Sequence, residues 1–153
     1  MYRLSDVVQF FLSRSSMSPK KLQKMLYYAY AWTLALLNES AEDIRFRLFE
    51  NKFQAWVHGP VIPELYQQYK NNGWEDIAQV KDFDESIFSS DVLDILNQVW
   101  AVYGECTGNE LECLTHAEEP WQKARAGLDP SQPGSTVIDD AVIFKYYNSM
   151  AAE

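Results

Sequence analysis

The chain has 153 residues, 13 of them basic and 22 acidic, for a formal charge of −9. A chain this acidic is repelled by phosphate backbones, so nucleic-acid binding is not expected. Five Trp, nine Tyr and eight Phe argue for a packed core or contact face and against disorder, and the length suits one domain spanning residues 1–153.

The predicted elements run as follows in chain order. Ser5 is placed to cap a first amphipathic helix carrying Val7, Val8, Phe11 and Leu12 on one side. Ser18-Pro19 starts a second, with a capping hydroxyl and proline at its first position, running to about Asn38. Its stretch Met25–Leu37, "MLYYAYAWTLALL", is apolar except for Thr33. At about 1.5 Å per residue it reaches only about 20 Å against a hydrocarbon core of about 30 Å. It therefore reads as the buried centre of a helical bundle. No membrane association is expected, and with no signal-peptide pattern at the start the expected location is the cytoplasm. Lys20, Lys21 and Lys24 crowd the positive end of this helix, which calls for compensating carboxylates, from within this acidic chain or from a partner.

Residues 44–57, "IRFRLFENKFQAWV", alternate apolar and polar side chains. The pattern predicts a small hairpin or irregular extended pair with "FEN" as its turn, left by the chain at His58-Gly59-Pro60. Pro63 opens a helix that stops at Gly73. The acidic stretch that follows reads as a loop with one helical turn. Ser90 then caps a helix ending at Gly104, Thr107 starts a short one, and Glu119-Pro120 another. Residues 127–136 form a loop and Asp139 caps a last helix. The fold class is mainly α: a single compact helical domain with a small β-hairpin insertion near residues 44–57.

Chemistry is sparsely represented. Only His58 and His116 are available as imidazoles, and Cys106 and Cys113 as thiols. Cys113 lies one helical turn before His116, but Glu110, Glu112, Glu118 and Glu119 surround it in sequence, a poor setting for a reactive thiolate. With no CxxC or HxxxH spacing, no metal is expected. No nucleotide or dinucleotide fingerprint is present, so no cofactor is expected either. Each histidine precedes a proline-led helix and has a tryptophan close by, Trp56 or Trp121. An imidazole donates from one nitrogen and accepts at the other, which suits bracing a backbone corner.

The same stretches carry a family likeness. "KLQKMLYYAYAW" (21–32), "FQAWVHGPVIPELYQQYK" (53–70), "GNELECLTHAEEPWQKAR" (108–125) and the closing "VIDDAVIFKYY" resemble, in order and spacing, the SocA-like or Panacea antitoxin domain, found also in phage-associated GepA-like proteins. Thr33 departs from it, standing where many relatives place a histidine. The resemblance implies a non-enzymatic antitoxin that binds and neutralises a cognate toxin protein, with the adjacent gene as the implied source of that toxin. It also implies, as an alternative, an adaptor that delivers the toxin to an ATP-dependent protease. An enzyme using Cys113 with His116, or His58, is the remaining alternative. The matching positions include Gln23, Tyr27, Trp56, Gly59, Pro60, Pro63, Tyr66, Thr115, His116, Pro120 and Trp121, read mostly as scaffold. Lys21, Lys24, Tyr28, His58 and Arg125 are expected to reach a partner groove where the second helix begins beside the His-Gly-Pro corner.

Overall fold

The computed structural model describes residues 1–152. Its centre is helix α2 (Pro19–Leu36), preceded by α1 (Leu4–Arg14). Ser18 caps α2 by accepting from the Lys21 amide, and Pro19 begins it. An uninterrupted run from Leu22 to Ala31 is buried, because neighbours surround the helix: α1, a two-stranded sheet, and α3 (Pro63–Tyr69), α4 (Ser90–Tyr103), α5 (Gly108–His116) and α7 (Asp140–Ala151) all pack on it. Helix α6 (Glu119–Ala124) joins α5 to α7. The fold is mainly α, and no helix among the described residues is long and apolar enough to cross a membrane.

Several helix starts follow the predicted capping chemistry. Thr107 and Glu110 form a reciprocal capping box on α5, and Asp139 caps α7. Two caps move. Arg3, not Ser5, precedes α1 and makes no side-chain cap, while Ser89 rather than Ser90 caps α4 by accepting from Val92.

The hairpin lies later than the alternation placed it. Residues 44–53 form no strand. The sheet pairs β1 (Gln54–Trp56) with β2 (Gly59–Val61), antiparallel, so that Trp56 faces Gly59 across a turn made by Val57 and His58. The His-Gly-Pro run thus turns into the ladder instead of leaving it. Two properties permit this. Gly59 adopts φ +110°, a region that side-chain-bearing residues avoid. Pro60 pairs with Ala55, whose amide donates outward to the Thr136 carbonyl at 2.9 Å; no N–H is required of Pro60 between the strands.

The outer edge of β2 meets side chains of α2 in place of a third strand. Gln23 donates to the Ile62 carbonyl at 3.1 Å and accepts from its amide at 2.9 Å, while the Lys24 amine donates to the Pro60 carbonyl at 3.1 Å. On the other side, Trp121 donates from Nε1 to the Trp56 carbonyl at 2.9 Å and Arg125 from Nη1 to that of Ala55 at 3.0 Å. The hairpin is held between α2 and α6, which brings the runs at 21–32, 53–70 and 108–125 together in space.

Candidate functional site

A cavity of about 630 Å³ opens where the start of α2 meets this hairpin. Lys20, Gln23 and Lys24 line it from α2, Trp56, Val57 and His58 from the hairpin, Tyr66 from α3 and Pro133 to Ser135 from the loop before α7. It lies where the sequence places the start of the second helix beside the His-Gly-Pro corner.

Of the five residues expected to reach a partner, Lys24 and His58 line the cavity. Lys21, Tyr28 and Arg125 do not. Lys21 points towards α4, donating to the Gly104 carbonyl at 2.6 Å and lying over the Trp100 ring. Tyr28 is 0% exposed, stacked on Tyr103 with ring centroids 4.0 Å apart and donating to Glu118 at 3.0 Å. Arg125 is 5% exposed; it holds the Ala55 carbonyl and, through Nη2, those of Asp129 and Gln132. A long polar side chain can as well tie loop carbonyls internally as reach solvent, and sequence alone does not separate the two.

Lys24 is the unusual member. It is 1% exposed, and burial lowers its amine to about 7, partly opposed by Glu112. Gly59 is fitted to it, since a Cβ there would stand 2.7 Å from the Lys24 Cε and 3.0 Å from the Thr115 hydroxyl. Thr115 itself is buried and bonded to the Glu112 carbonyl at 2.8 Å.

The compensating carboxylate expected for the lysine cluster is Glu112. It accepts from Lys20 at 2.7 Å through one oxygen and meets His58 Nδ1 at 3.2 Å through the other. Burial pushes its carboxyl up, but Lys20 and His58 outweigh that and hold it below the usual range. Lys20 was not singled out for the site, yet it precedes Lys24 by four residues and so shares its helix face. The Pro133–Ser135 wall had no such signal, because only tertiary closure brings that loop to the cavity.

The motif residues divide similarly. Tyr27 is buried, Pro60 is buried in β2, Pro63 and Pro120 sit in the first turns of α3 and α6, and Trp56 stands edge-on to the exposed Tyr66 at 5.0 Å. His116 stacks on Trp121 at 3.9 Å, and its Nε2 is buried with no hydrogen-bond partner. Desolvation lowers its pKa. Cys113 is exposed. Thr33 is buried and satisfied by the Tyr30 carbonyl at 2.9 Å. Among the described residues, no group of three or more His, Cys, Asp or Glu is placed to hold a metal ion.

Residues 22–122, more than half of the chain, match the family described as antitoxin SocA-like, Panacea domain. The chain belongs to that family, and the matched span contains most of α2, the hairpin and α5, while the cavity-lining Lys20 and Pro133–Ser135 lie outside it. No curated protein and no solved structure matches the chain.

Proposed function

We propose that this protein is the antitoxin of a toxin–antitoxin pair, neutralising a cognate toxin polypeptide by direct stoichiometric binding in the cytoplasm. Family membership supports the class. The observation that carries the location is the cavity between α2 and the hairpin, a concave, largely apolar site with a few convergent polar groups. Trp56, Tyr66 and the ends of Lys20 and His58 are the residue types that anchor and steer polypeptide partners there. Catalysis has no part in this reading: Cys113 is exposed among acidic neighbours, His116 is packed on Trp121, and His58 is engaged with Glu112.

The toxin is the product of the adjacent gene, and co-expression tests this. Growth arrested by that product alone is restored by this protein, and the two co-purify at a fixed ratio. A product that is harmless alone, or that remains toxic with this protein in excess, removes the reading. Toxin half-life measured in the same cells separates sequestration, which leaves turnover unchanged or slower, from delivery to an ATP-dependent protease, which accelerates it.

A further inference from the structure

The lining of the α2–hairpin cavity is out of character for the molecule. The chain has 22 acidic residues, yet none lines this cavity, whereas Lys20, Lys24 and His58 do. Lys20 is already committed, to Glu112 at 2.7 Å and Asn109 at 3.0 Å. Lys24 makes a single hydrogen bond, to the Pro60 carbonyl, although an ammonium has three N–H groups to place. The charged and titratable groups near it are Lys20 from its own helix and Glu112 and His116 from α5, with His58 on the same cavity wall. Glu112 is the one anion among these, and its two oxygens are taken by Lys20 and His58. A buried amine with unused donors on the wall of an apolar cavity is matched by an anion attached to an apolar body.

We propose that this cavity receives the C-terminal residue of a partner polypeptide, its apolar side chain against Trp56 and Tyr66 and its α-carboxylate on the Lys24 amine. A chain end brings both groups on one Cα. An internal Asp or Glu would carry a peptide group on either side into walls formed by Trp56, Val61, Tyr66 and Pro133, which offer those groups few partners. The volume of about 630 Å³ accommodates one large side chain with a residue or two before it. The inference deepens the toxin reading and rests on it only for the identity of the partner.

The test uses the full chain and two probes that differ at one group: acetyl-Gly-Gly-Trp as the free acid and as the C-terminal amide. Calorimetry gives affinities, and the indole signals of the protein report the site. The free acid is expected to bind about tenfold tighter than the amide. Lys24→Met brings the acid down to the level of the amide, and Lys20→Met leaves the acid preference in place. Tyr66→Ala, at an exposed position, weakens acid and amide alike and serves if Lys24→Met does not fold. Equal binding of acid and amide, binding of neither, or an acid preference that survives Lys24→Met overturns the proposal. So does equally tight binding of an amidated peptide carrying an internal Asp beside the Trp. If the acid binds as expected but the adjacent gene product is not neutralised, the toxin reading falls and the cavity chemistry stands. Neutralisation without any acid preference gives the reverse.

Discussion

Lys24 and Tyr28 lie one turn apart on the same face of α2, and each marks a charge removed from water, fully at Lys24 and partly at Glu118, that is handled in the opposite way. At Tyr28 the charge is Glu118. Its carboxylate accepts from the Tyr28 hydroxyl at 3.0 Å and from that of Tyr147 at 2.7 Å, and Tyr27, Tyr103 and Trp32 pack against those two rings. At Lys24 the charge has one carbonyl and a cavity. A buried polar group whose partners are all supplied specifies a core; one left with spare capacity beside open volume invites a ligand. The first arrangement is scaffold, and the second is where the molecule remains incomplete by itself.

The largest expected effect breaks the fit between Gly59 and Lys24. Gly59→Ala places a Cβ 2.7 Å from the Lys24 Cε at a φ of +110°, and should destabilise the protein by about 3–5 kcal/mol in denaturant melts. Part of that is collision and part is backbone strain. In a Lys24→Ala background the same substitution should be about 1–2 kcal/mol milder. Strict additivity would mean that Lys24 and Gly59 do not constrain each other.

The next effect concerns pH. Burial holds the Lys24 amine at about 7 in the folded chain, against an ordinary value of 10.5. Between those values the unfolded chain keeps a proton that the folded chain has released, so stability rises with pH. Below about 7 both forms are protonated and the full desolvation penalty applies. Relative to Lys24→Met, the wild type should gain about 3 kcal/mol between pH 6 and pH 9. Parallel stability curves would show that the amine is better solvated than its burial indicates.

Glu118 sharpens the contrast from the other side. Removing the carboxylate in Glu118→Ala leaves two buried hydroxyls without their acceptor and should destabilise by about 2–3 kcal/mol. Glu118→Gln retains an acceptor and removes a charge that burial disfavours; its effect should stay within about 1 kcal/mol. Burial raises the Glu118 carboxyl, against the two tyrosine hydroxyls. Its folded form therefore holds a proton at pH values where the unfolded chain has lost it, so this group's contribution declines as pH rises above about 4.5, the ordinary carboxyl value. A Gln variant as unstable as the Ala variant would mean that the negative charge itself holds the cluster together.

Much of this was legible in the residues and some was not. Helix caps such as Ser18, Thr107 and Asp139 declare themselves because capping is local chemistry. The meeting of the α2 start with the hairpin corner was legible because α2 begins with lysines and the corner is marked by glycine and proline. The strand register was not. Alternation over 44–53 is also satisfied by an irregular segment that buries Leu48, Phe49 and Phe53 against the bundle, and period alone does not tell the two apart. Nor did the residue types of Tyr28 and Arg125 reveal that they point inward, since the carboxylate and carbonyls that satisfy them come from distant segments.

The two histidine corners make the smallest and most discriminating comparison. In sequence they look alike, each an imidazole with a tryptophan nearby and a proline-led helix ahead. In the fold His116 stacks face to face on Trp121, 3.9 Å between centroids, with a nitrogen buried. The His58 side chain is 68% exposed in a two-residue turn and touches Glu112 at 3.2 Å. Truncating the first removes a packed ring that positions Trp121, whose indole in turn holds the Trp56 carbonyl. His116→Ala should therefore destabilise by about 1–2 kcal/mol. His58→Ala removes only a solvated contact with Glu112 from a turn already fixed by Gly59, and should change stability by no more than about 0.5 kcal/mol. Thermal melts of both variants at neutral pH decide the matter. Equal losses would make His58 a brace like its counterpart, whereas a silent His58→Ala leaves that imidazole free to serve the cavity it lines.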